Sequence, residues 1–397
     1  MVLKHKDFRI LWIGQLVSKL GSQFNYIALA WLVLKTTESA AAASGVYLAQ
    51  VLPAALLGWA AGVYVDRTDR RSMMLHCDWL RAALVLILPL AFAFDKLSIW
   101  LIYAVTFAIS ILTLAFYAAE KSVIPQIVPE QDLTEANAFA EMTEQIGALA
   151  GPVIAGILIA PLPSPIYLLY ADAASFLFSA ITILLLKFRD KRETSPASVA
   201  MLWNEAKEGI VHLLKDPLLR IIILTACSIN FLAAPFTVVF PVFSERVLQA
   251  GSEGFGWLMG AFGLGMLIGS FGAAPLAKRF TPAQIIYSGM LLMGIGFIAL
   301  AFSPNLTVAV ILAAITSFGV GPGNAVIITL VQQKTPENML GRIFAAMSGI
   351  VQAAIPIGVG IAGPLLDAVG SVSVLIAMGA GSLICTAFGY YFLKKAI

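Results

Sequence analysis

Charge is scarce in this chain. Only 12% of its 397 residues are Asp, Glu, Lys or Arg, 60% are hydrophobic, and the mean hydropathy is +0.90. Soluble domains carry about a quarter charged residues, so this composition excludes one. Cysteine is scarce as well. Cys77, Cys227 and Cys385 are odd in number, far apart, and in or beside apolar runs, which excludes a disulfide framework or thiolate metal site and leaves packing as their role. No Walker A segment, metal-ligand cluster or nucleophile triad occurs, so ATP hydrolysis, ordinary enzyme chemistry and a bound cofactor are not expected. The net charge of +3 gives no reason to expect a nucleic-acid partner.

What is present is a succession of apolar runs. About 20 apolar residues cross a hydrocarbon layer of about 30 Å as a helix, whereas barrel strands would alternate over about ten. The fold class expected is an all-α membrane protein with twelve transmembrane helices, near 10–34, 40–65, 73–94, 98–119, 137–160, 166–187, 218–243, 254–277, 283–302, 306–331, 342–365 and 371–393. The first run is not expected to be a cleavable signal, because it is long, contains Lys19 and lacks a small-residue cleavage pattern. Cationic residues flank spans on the cytoplasmic side. With the N-terminus inside, all of the 25 Lys and Arg fit that side except Lys35, Lys96, Arg246 and the intramembrane Lys19. Both termini are therefore expected in the cytoplasm, in a multi-pass protein of the plasma membrane, the bacterial cytoplasmic membrane.

A polar interruption divides the chain into an N-terminal six-helix bundle (1–187), a cytoplasmic linker with an amphipathic helix (188–217) and a C-terminal six-helix bundle (218–397). The halves resemble each other. At an offset of 207, Gln126 pairs with Gln333, Pro129 with Pro336, Glu130 with Glu337 and Leu133 with Leu340. Gly58 and Gly62 likewise pair with Gly265 and Gly269. Two pseudo-symmetric bundles of this kind can rock about a midplane cavity.

GVYVDRTDRRSMM, residues 62–74, packs five charges into thirteen positions between spans 2 and 3. Arg67, Arg70 and Arg71 satisfy the orientation rule, but Asp66, directly after apolar residues, needs a cation or a helix N-terminus as partner. Here the sequence resembles the major facilitator superfamily, whose signature G-x-x-x-D-R-x-G-R-R/K is met by Gly62, Asp66, Arg67, Arg70 and Arg71, with Asp69 in place of the last glycine. That departure resembles the branch of macrolide-efflux proteins and the enterobactin exporter. The resemblance implies a gate in which Asp66 faces the start of span 11 near Gly341 and Arg342. In span 5, Gly147, Gly151, Pro152 and Gly156 fit the exporter pattern G-x-x-x-G-P-x-x-x-G, and small residues at this spacing let helices approach closely. The intramembrane Arg that proton-coupled members often carry in span 4 is missing: the run IYAVTFAISILTLAFYAA contains no charge.

Ionisable groups inside a bilayer are functional candidates. In span 1, Gln15, Ser18, Lys19, Ser22 and Tyr26 form a polar stripe, with Lys19 about 15 Å along the helix at 1.5 Å per residue. Glu144 in span 5 can pair with Lys19 or bind a proton, since desolvation disfavours a charged carboxylate. Asp172 in span 6 is a further coupling candidate, though a structural partner suits it better. Asp78 and Arg81, three apart at the cytoplasmic end of span 3, are expected to interact locally or with the Asp66 loop. Gln15, Ser22, Tyr26, Asn230, Asn324 and Gln352 are the candidate substrate-binding residues, and FGVGPGN (318–324) is a natural bend. The leading expectation is a monomeric, proton-coupled exporter of amphipathic small molecules (drug, macrolide-like compound or siderophore). Its partners are substrate, protons and the lipid bilayer. A facilitator-type importer, a lysophospholipid flippase and a transport-dead membrane sensor are the alternatives.

Overall fold

The computed structural model describes residues 2–66, 68–187, 207–208, 210–336 and 339–396, and the side chains of these except 58–66, 345 and 392–396. Among the described residues every regular element is helical. The N-terminal half has α1 (Lys6–Thr37), α2 (Ala40–Asp66), α3 (Arg70–Ala93), α4 (Ile99–Ile127), α5 (Leu133–Ile159) and α6 (Leu168–Leu184). The C-terminal half has α7 (Pro217–Ala233), α8 (Phe236–Arg246), α9 (Gly251–Phe271), α10 (Ala273–Ala277), α11 (Pro282–Ala301), α12 (Leu306–Phe318), α13 (Val320–Lys334) and α14 (Leu340–Ala396).

Local chemistry sets where these helices begin and break. Free N–H groups at a helix start favour a short polar side chain there. Asp69 accepts from Ser72 N at 2.8 Å, Asp216 from Leu218 N at 2.8 Å, and Asn305 from Val308 N at 3.0 Å. Asp69, the residue that departs from the signature glycine, is thus the N-cap of α3. Thr281 and Gln284 form a reciprocal capping box on α11. The expected span 306–331 is broken at Gly319 into α12 and α13, within the FGVGPGN segment. The long α14 leaves helical geometry at Gly370, with φ 79° and ψ 165°. That conformation is one only glycine adopts without strain.

Among the described residues, ten helical stretches are long and apolar enough to cross a membrane. They do not coincide with the twelve expected spans. α14 counts once despite its break at Gly370, and α1 is not among the ten. The physical reason for α1 is its polar content: Asp7, Arg9, Lys19, Gln15, Gln23 and Asn25 lower the hydropathy of a 32-residue helix.

The chain forms two compact units. One comprises Met1–Glu38 and Gly45–Val199, the other Ser39–Ser44 and Ala200–Ile397. In the first, α1 packs on α5 and α6, and α3 on α4 and α6. Its apolar core includes Phe8, Leu11, Met74, Phe116, Val123, Ala136 and Ile183. In the second, α14 packs on α7 and α11, and α9 on α12, around Leu219, Ile222, Ile286, Met290, Val331 and Ile343. The duplicated segment makes the same turn in each unit. Asp132 N donates to Pro129 O at 2.9 Å, and Met339 N, 207 positions later, donates to Pro336 O at 2.9 Å. Glu337 lies outside the described residues, as do Arg67 and the linker segment 188–206.

Candidate functional site

The polar residues of α1 serve two interfaces, which divides the single stripe expected from spacing. Toward α6, Gln15 Nε2 donates to Ser179 Oγ at 3.0 Å and Asn25 Nδ2 donates to Asp172 Oδ2 at 2.6 Å. Gln15, Ser18, Asn25, Asp172 and Ser179 are all buried. Gln15 is therefore engaged by α6 rather than held free for a ligand. Ser22 donates to Ser18 O at 3.0 Å, a bond within its own helix, and Tyr26 meets Tyr47 edge-on at 5.7 Å.

Toward α4 and α5, α1 builds an ion cluster. Trp12 Nε1 donates to Thr143 Oγ1 at 2.8 Å, and one α-helical turn pair further along, Lys19 Nζ donates to Glu144 Oε1 at 2.5 Å. Glu120 Oε2, from α4, lies 3.7 Å from the same ammonium. The small residues of α5 permit this approach. A Cβ on Gly151 would lie 2.5 Å from Cβ of Gln23, whereas one on Gly147 would make ordinary contact with Lys19 at 3.7 Å. Pro152 and Gly156 are buried in the same helix.

Glu120 is the residue that the sequence reading missed. Hydropathy ends span 4 near 119 and leaves it uncharged, but α4 continues to Ile127 and buries Glu120. The signal was available: Glu120 and Lys121 follow the apolar run with no Gly or Pro until Pro125. Lys121 pairs with Glu141 at 3.0 Å.

A second buried charge pair lies on α3, where Arg81 is ion-paired with Asp78 and its guanidinium stands 4.3 Å from the Phe116 ring and 4.4 Å from the Phe176 ring. Of the signature loop, Arg71 donates to Ile183 O at 3.2 Å and Leu184 O at 2.7 Å. A cation there meets carbonyls at the C-terminal end of α6, where the helix dipole favours positive charge. Arg70 opens α3. Gly62 and Asp66 lie in α2, with their side-chain positions outside the described residues. Arg342 pairs with Glu208 at 2.8 Å.

The candidates of the C-terminal half are not gathered into a cluster. Asn230 donates to Ala226 O at 3.0 Å, within α7, and Asn324 and Gln352 are exposed on α13 and α14. Sequence reading also passed over Asp367. Its carboxylate accepts from Ala40 N at 2.7 Å, Ala41 N at 3.0 Å and Ser39 Oγ at 2.7 Å, receiving the free N–H groups at the start of α2.

An apolar helical chain with an internally repeated turn, a D-R-T-D-R-R loop and ion pairs inside its apolar segments defines a polytopic membrane transporter rather than an enzyme. Residues 2–396 match the transmembrane secretion effector family, and the chain belongs to that family of the major facilitator superfamily. It is 28% identical over 384 residues to multidrug efflux pump Tap of Mycolicibacterium fortuitum, covering 94% of this chain and 93% of that protein. It is 25% identical over 365 residues to macrolide efflux protein A of Streptococcus pyogenes, covering 91% and 90%. Among solved structures it resembles the nucleoside transporter NupG with a TM-score of 0.80 at 11% identity, covering 98% of this chain and 99% of that one. A bacterial homologue of the iron transporter ferroportin in an inward-facing state gives 0.73 at 17% identity, covering 98% of each. These two structures share its fold.

Proposed function

We propose that the protein is a proton-coupled exporter of amphipathic small molecules, of the drug, macrolide-like or siderophore kind, working by alternating access. The observation that carries this reading is the ion cluster of Lys19, Glu144 and Glu120 on three helices of one unit. Ionisable groups at membrane depth are retained where they bind ions or substrate, and two of the relatives above are named as efflux proteins. Counting α1 as a span and dividing α14 at Gly370 brings the ten stretches to twelve, arranged as six-helix bundles at 1–187 and 218–397 joined by the linker 188–217. The excess of Lys and Arg at one set of span ends puts both termini in the cytoplasm of a bacterial cell, and the functional unit is a monomer.

Glu144 and Lys19 are assigned to proton coupling, and Asp172 to packing of α6 on α1 ahead of coupling. Asp66, Arg67, Arg70, Arg71 and Arg342 with Gly62 are assigned to the cytoplasmic gate. Ser22, Tyr26, Asn230, Asn324 and Gln352 remain the residues proposed to meet substrate, with Gln15 in a supporting place behind them.

The test is transport of labelled erythromycin into proteoliposomes under an imposed pH gradient, with the gradient reversed as control. Gradient-driven accumulation supports coupled export. Exchange of labelled for unlabelled compound that ignores the gradient points to a facilitator, and absence of both for a panel of amphipathic compounds points to a sensor. Asp66→Asn is expected to keep erythromycin binding while slowing turnover, because it removes a contact made in one state of the cycle.

A further inference from the structure

Lys19 faces two carboxylates and can neutralise one. Glu144 takes the close contact at 2.5 Å, and its side chain keeps 39% of its exposure; Glu120, at 3.7 Å from the same ammonium, keeps 5%. The other charged groups around Glu120 are Glu144 on α5, Lys121 on α4 and Arg81 on α3. Neither further cation is spare, since Lys121 pairs with Glu141 and Arg81 with Asp78. Among the described residues Glu120 has Lys19 as its ion partner and receives no hydrogen bond. A carboxylate buried without donors is poorly held while charged and well held once it carries a proton. Beside it lies a cavity of about 10 Å³, room for about one water, lined in part by Trp12, Gln15, Lys19, Glu120 and Thr143.

We propose that Glu120 is the proton-binding group of this protein and that Lys19, shared between Glu120 and Glu144, reports its state. A proton arriving at Glu120 converts its carboxylate to the neutral acid and leaves the ammonium to Glu144 alone. When the proton departs, the restored negative charge draws Lys19 between the two acids. The inference rests on the proton-coupled reading above and moves the proton from Glu144, the acid legible in the sequence, to the more deeply buried Glu120.

Two measurements on the full-length protein in lipid nanodiscs decide it without any substrate. Dicyclohexylcarbodiimide modifies protonated carboxyl groups in apolar surroundings. It is expected to label Glu120 of the unmodified sequence, located by peptide mass mapping, with loss of labelling as pH rises. Label on Glu144 without Glu120, or none on Glu120, overturns the proposal. In infrared pH titrations, the protonated-carboxyl stretch that titrates is expected to vanish in Glu120→Gln and persist in Glu144→Gln; the opposite pattern overturns it. Glu120→Asp, which keeps the acid, guards against a variant that fails to fold and is expected to keep the band. Erythromycin accumulation in proteoliposomes is a separate arm. If the unmodified protein ignores the pH gradient, the exporter reading fails while labelling and spectra still decide on Glu120. If it responds, Glu120→Gln is expected to lose the gradient-driven component and retain exchange.

Discussion

Asn25 donates a hydrogen bond to Asp172 at 2.6 Å, and this contact ties α1 to α6 where neither side chain reaches solvent. Asp172 Oδ1, by contrast, has no hydrogen-bond partner, and the Asn25 amide is the hydrogen-bond donor to its other oxygen. Asn25→Ala is expected to destabilise the protein by about 1–3 kcal/mol, the range for a buried polar group left without its partner. In Asn25→Ala/Asp172→Ala the stranded acid is gone, and the loss is expected to be smaller than the sum of the single losses. Thermal unfolding in detergent across the double-mutant cycle checks this; additive losses would mean that the contact contributes nothing.

The interface of α1 with α5 separates two glycines of one motif. A methyl at Gly151 would collide with the stem of Gln23, while the same methyl at Gly147 would reach Lys19 at an ordinary distance. Gly151→Ala is therefore expected to lower stability by about 1–3 kcal/mol through overpacking, and Gly147→Ala to be near neutral. Equal melting temperatures for the two variants would refute the geometry.

Lys19 and Glu144 stand as a pair on the same helices. Removing one partner leaves an uncompensated charge in an apolar region, which is worse than removing both. Lys19→Ala is thus expected to be the less stable single variant, because it strands two acids, and Lys19→Ala/Glu144→Gln is expected to recover part of the loss. Unfolding midpoints at one pH and lipid composition test the order, and a double variant weaker than Lys19→Ala would reverse it.

At the start of α2, Asp367 accepts from two backbone N–H groups and the Ser39 hydroxyl. Asp367→Ala is expected to cost about 1 kcal/mol, as for loss of a helix cap, and Asp367→Asn less, since its amide oxygen still accepts. Hydrogen exchange at Ala40 and Ala41 offers the local readout: faster exchange in the alanine variant than in the asparagine variant.

Sequence alone determined the membrane class, the family and the approximate helix positions, because these follow from one-dimensional quantities: hydropathy over about 20 residues, cation bias and a motif at fixed spacing. It also placed Lys19 and Glu144 at comparable depth, since depth along a helix is residue count times rise. Direction around the helix was harder. Gln15 and Lys19 lie four apart and read as one stripe, yet the packing of α6 on one side and α5 on the other sends the first to Ser179 and the second to Glu144. Nor did hydropathy find where α4 ends, because a helix continues as long as its backbone bonds do, and those bonds carry Glu120 beyond the apolar run into a buried place. Which acid is short of partners is a property of three helices at once. Only the tertiary structure decided it, by giving one ammonium to two carboxylates at unequal distances.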